Sequence, residues 1–94
     1  MKQSTYKIQV DHSSDHGWYY LISGYNTHNK NITISLSKRI YNIDTVPKMG
    51  DIIKFTVRGE LILELGRIIK MNGKETYKEL YKSELAIAFG GSNA

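Results

Sequence analysis

Asp51-Ile52-Ile53-Lys54-Phe55-Thr56-Val57-Arg58 decides the reading of this chain. Ile53, Phe55 and Val57 alternate with Lys54, Thr56 and Arg58. An extended backbone sends alternate side chains to opposite faces, so this is a strand with one apolar face and one wet face. Gly50-Asp51 before it and Gly59-Glu60 after it supply turns. The same period recurs on either side. Tyr6, Ile8 and Val10 alternate with Lys7, Gln9 and Asp11, and Ile32, Ile34 and Leu36 alternate with Thr33, Ser35 and Ser37. Between them Trp18 to Tyr25 is apolar on both sides, which marks a central strand or a working aromatic face. Trp18, Tyr20 and Ile22 read as its core side; Tyr19 and Tyr25, which share a side with Ser23, read as the wetter one. The Asn-rich stretch 26–31 joins this run to the next, so an antiparallel hairpin is expected. Leu61 to Met71 is a further strand run, and Gly66 within it marks a bulge or bend.

Two stretches depart from the period of two. Ile40, Ile43 and Val46 recur every three residues after Ser37, which predicts a short helical break near 38–46, stopped by Pro47 and Gly50. Residues 74–89 read two ways. Asn72-Gly73 is a two-residue hairpin signal, and Leu85, Ile87 and Phe89 alternate as in a strand. Yet Tyr77, Leu80, Tyr81, Leu85 and Ala88 have helical spacing behind an Asn72–Glu75 capping pattern. The spacing favours a helix, with a terminal strand as the alternative. Residues 1–89 are expected to form one domain, with 90–94 a flexible tail.

Ninety-four residues make one small domain, with 40% hydrophobic residues for its core. There is no cysteine, which excludes disulfides, thiolate zinc sites and cysteine nucleophiles and fits a cytoplasmic location. No apolar run approaches the roughly 20 residues of a membrane-spanning helix, so no membrane role is expected. Thirteen Lys and Arg against nine Asp and Glu give a net charge of +4, with seven tyrosines. Basic charge with surplus tyrosine is a nucleic-acid-binding composition, although an AT-rich coding sequence would enrich some of the same residues.

The strand order, with a break between the third and fourth, together with Val46-Pro47-Lys48-Met49-Gly50-Asp51-Ile52-Ile53-Lys54-Phe55-Thr56-Val57-Arg58-Gly59, resembles the OB-fold. The resemblance covers roughly residues 6–71. It implies a mainly β chain, a small five-stranded antiparallel Greek-key barrel. It also implies binding of single-stranded nucleic acid across the second and third strands and their loops. The segment beyond residue 72 exceeds what a minimal five-stranded barrel needs.

The residues point to two functions. In the first, Lys54 and Arg58 on one strand face track phosphates, joined by Lys38, Arg39 and Arg67, while Tyr19 and Tyr25 stack bases of single-stranded DNA or RNA. In the second, the chain is an interaction module such as a phage-type inhibitor or a replication accessory protein. It then docks on a larger protein or forms a homodimer through Tyr77, Tyr81 and Leu85 of its C-terminal segment. Asp11-His12, Asp15-His16 and His28 include metal-competent side chains but match no metal-site spacing, and read as polar loop. No phosphate-cradling loop, nucleophile elbow or zinc-protease motif occurs. No catalytic residue, metal or cofactor is therefore assigned, and the chain reads as a non-enzyme.

Overall fold

A computed structural model describes residues 2–83. Among them are six strands: β1 (Gln3–Asp15), β2 (Tyr19–Tyr25), β3 (Asn31–Ser37), β4 (Ile52–Arg58), β5 (Leu61–Met71) and β6 (Lys74–Lys82). They form one sheet in the order β3-β2-β1-β4-β5-β6, every neighbouring pair antiparallel. The spatial order 4-1-2-3 within it is a Greek key, with the long 38–51 connection returning the chain from β3 to the far side of β1.

The long strand β1 organises the sheet. Its first half, Gln3 to Gln9, pairs with β4, and its second half, Gln9 to Asp15, pairs with β2. The register with β2 slips between Val10 and His12, leaving Asp11 as a bulge where the strand changes partner. One face of the sheet carries the core. Ile8, Val10, Ile22, Leu36, Ile53, Phe55, Ile62 and Leu65 are buried there. Burying each such side chain contributes about 1.5–3 kcal/mol. The alternation of β4 is realised: Ile53 and Phe55 are buried, Lys54 exposed.

Four expectations are corrected. The five-stranded closed barrel is a six-stranded sheet that does not close, since β3 and β6 each have a strand neighbour on one side only among the described residues. The helical break at 38–46 is a single turn. Ile40 and Tyr41 both donate to the Ser37 carbonyl, and no helix follows. Propagation stops because Tyr41 turns into the core, where its hydroxyl accepts the Ile62 N–H at 3.1 Å, while Ile40 stays 56% exposed. Residues 74–82 of the C-terminal segment form the strand that stood as the alternative, not the helix the spacing favoured. Asn72 (φ 54°) and Gly73 (φ 78°) both take positive φ, as a two-residue hairpin turn of the I′ kind requires. That turn folds β6 back onto β5. Trp18, read as core, is 77% exposed, because it lies in the turn after Gly17 and β2 begins one residue later. Leu85, the rest of the 74–89 segment and the 90–94 tail lie outside the described residues.

Candidate nucleic-acid interface

The face away from the core is built by the odd residues of β2, the even residues of β4 and the first-half odd residues of β1. Strand register sets their neighbours. Tyr25 lies opposite Gln9, Gln9 opposite Ile52, Lys7 opposite Lys54, and Thr5 opposite Thr56. Tyr19, Leu21, Ser23 and Tyr25 follow one another along β2 on this face, with Asn31, Thr33, Ser35 and Ser37 of β3 beside them. Tyr25 and Lys54 are about 12 Å apart by strand geometry, two strand spacings across and two residues along.

Lys7 and Lys54 form a directly opposed pair of like charges, an arrangement that destabilises a sheet. Lys7 leans to Glu75 of β6, at 3.3 Å. Lys54 has no ion pair among the described residues. It lines a groove of about 400 Å³ with Thr5, Thr56, Glu64 and Tyr77. The two threonine hydroxyls meet at 3.1 Å. Burial first, and the neighbouring Glu64 carboxylate second, push the Tyr77 phenol well above its usual pKa. The Tyr77 ring lies against Gly66, where a side chain would collide with it. A second cleft, of about 330 Å³, is lined by Gln9, Asp11, Tyr25, Asn29, Met49 and Gly50. Tyr25 (42% exposed) and Met49 (75% exposed) give it apolar walls.

The β1–β2 turn adds aromatic surface at one end of the face. His16 stacks on Tyr19 with ring centroids 4.9 Å apart, and its Nε2 meets the Ser14 hydroxyl at 2.8 Å. Exposed Trp18 sits beside this pair in sequence, its carbonyl accepting the Lys38 N–H. Among the described residues no three His, Asp or Glu side chains gather as metal ligands would.

The sequence-derived site divides. Lys54, Tyr19 and Tyr25 share the outer face. Arg58 shares that face, opposite Gln3 at the far end of β4, and is half-buried and engaged within the chain. Arg67 lies opposite Ile53 and so on the core-side face, away from Lys54. Lys38 is tied up: its ammonium is 2.7 Å from Asp15 and 4.6 Å from the Tyr20 ring centre. That contact lowers the Asp15 pKa, through the hydrogen bond first, and raises that of Lys38 for the same reason. Arg39 is exposed in the turn after β3. Of the residues assigned to a partner interface, Tyr81 packs edge-on against Tyr41 at 4.9 Å and Tyr77 covers Gly66. Sequence reasoning missed Lys7, Trp18 and Met49. Lys7 was legible as a wet-face residue, but its opposition to Lys54 depends on a pairing 47 residues distant in the chain.

Comparison with protein families, with curated proteins and with solved structures finds no match. No helix among the described residues is long and apolar enough to cross a membrane.

Proposed function

We propose that this protein is a non-enzymatic module that binds single-stranded nucleic acid with little sequence preference. The sugar-phosphate chain runs across the outer face from the β1–β2 turn toward β4. The observation that carries this reading is the opposed Lys7–Lys54 pair on the same face as Tyr19 and Tyr25. Glu75 answers the Lys7 charge alone, so Lys54 has no counter-ion among the described residues, and a phosphate against it supplies one. Tyr25 beside its cleft, and Tyr19 stacked with His16 at the turn, offer ring surface to bases, each stack contributing about 1–3 kcal/mol. Hydroxyl and amide side chains along β3 and β1 suit sugar and phosphate contacts without reading sequence.

Fluorescence anisotropy of a labelled oligo-dT tests the proposal. Binding in the micromolar range or tighter is expected at low salt. Tyr25→Ala is expected to weaken it by about tenfold or more, and Lys54→Glu to weaken it further, with melting temperatures close to that of the unaltered chain. Unaltered affinity in both folded variants would place the site elsewhere. The alternative reading, docking on a larger protein through Tyr77 and Tyr81, has less in its favour, because both rings are engaged within the chain.

A further inference from the structure

We infer that β3 is a self-association edge, through which two copies of this chain join antiparallel into one continuous sheet. The two edges of the sheet differ in kind. β6 carries Lys74, Glu75, Lys78, Glu79 and Lys82, and its pairing with β5 is broken by a register shift at Leu65/Gly66. Charges and irregularity of that sort keep an edge from recruiting another strand. β3 has neither. Its seven residues, Asn31-Ile32-Thr33-Ile34-Ser35-Leu36-Ser37, include no charge and no proline, and its register with β2 runs without a slip.

The hydrogen-bond parity of the hairpin shows which backbone groups the edge presents. Asn26 donates to the Lys30 carbonyl at one end, and Lys38 donates to the Trp18 carbonyl at the other. Both bonds belong to even-numbered residues of the β3 arm, so Ile32, Ile34 and Leu36 point their N–H and C=O groups at β2. Asn31, Thr33 and Ser35 therefore point theirs outward, as does the Ser37 N–H. The Ser37 carbonyl is already used by Ile40 and Tyr41.

These outward groups are self-complementary about Ile34. A two-fold axis there pairs Thr33 of one copy with Ser35 of the other, and each pair can exchange both backbone hydrogen bonds. Ile34 meets its own copy and Ile32 meets Leu36 on the core-side face. Ile32 and Ile34 are only partly buried in the single chain, so pairing removes further apolar surface from water. On the outer face the Thr33 and Ser35 side chains come side by side, a favourable cross-strand pair. Beyond the paired segment Lys30 faces Lys38 of the second copy, whose charge is answered by Asp15.

Sedimentation velocity over a micromolar-to-millimolar concentration series tests the inference. A monomer–dimer equilibrium is expected for the unaltered chain. Thr33→Pro deletes an outward N–H that β2 does not use, so it should leave the fold intact by circular dichroism and shift the dimer constant by more than about tenfold. Ser35→Lys, a charge on the same edge, gives an independent second variant with the same expected loss. In this cysteine-free chain, Ile34→Cys should cross-link two copies on oxidation, whereas Ile32→Cys should not. A monomer at every concentration, or a dimer that survives both edge variants, would overturn the inference. Either result leaves the nucleic-acid proposal standing, since that rests on the outer face and not on the edge.

Discussion

At the scale of single residues, packing is decided by a few close approaches. Tyr41 leaves an irregular connection to enter the core and gives the buried Ile62 N–H its partner. Tyr41→Phe keeps the ring and orphans that donor, so it should cost about 1–3 kcal/mol in urea unfolding. A side chain at Gly24 would strike the Gln9 carbonyl oxygen, with the Gln9 carbonyl carbon at 2.9 Å and the Val10 Cα at 3.1 Å, all of it backbone. A side chain at Gly66 would first strike the Tyr77 side chain, which can swing away. Gly24→Ala should therefore destabilise by about 1–3 kcal/mol and Gly66→Ala by less, seen as a larger drop in melting temperature for the first. Tyr77 carries a pH signature. Its phenol is held protonated in the fold above its unfolded pKa of about 10. The unfolded chain thus releases that proton first as pH rises. The stability Tyr77 contributes is intact below about pH 10 and is lost as pH climbs toward the folded pKa. Tyr77→Phe should flatten the decline in melting temperature above that pH.

At the scale of elements, β6 belongs to the fold. Leu80 and Tyr81 pack against the core, and Ser83 donates to the Leu63 carbonyl just beyond the strand. A chain ending before Lys74 should lose cooperative unfolding by circular dichroism, because it exposes the Leu65 side of β5 and removes the Tyr41–Tyr81 contact. The period of two made β3 and β4 legible with their faces, and Gly66 was legible as an irregularity. The β6 segment was ambiguous because Tyr77, Leu80 and Tyr81 fit a helix in spacing alone. Pairing with β5 beyond the Asn72-Gly73 turn decided it, and local spacing carries no information about a strand partner. The 38–46 turn failed as a helix for a related reason. Tyr41, which the every-third pattern leaves out, is the residue that the core takes.

At the scale of the whole molecule, the strand faces were readable and their assembly was not. Lys54, Tyr19 and Tyr25 could each be given a wet side from alternation. That they share one face follows from β1 pairing with β4 through one half and with β2 through the other. Arg67 fell to the other face because Leu63 is an extra residue in β5, which shifts the pairing with β4 between Thr56 and Val57. Trp18 was misplaced because its strand starts one residue later, and a large aromatic in a turn looks like core to any count of apolar residues. The central claim is electrostatic and aromatic together, and salt resolves the electrostatic part. The most direct measurement is the affinity for labelled oligo-dT from about 50 to about 200 mM salt, for the unaltered chain and for Lys54→Gln. Affinity should fall linearly on a double-logarithmic plot, with a slope shallower by about 0.7 in the variant, one phosphate contact on a single strand. No binding at the lowest salt, or the same slope in both proteins, would contradict it.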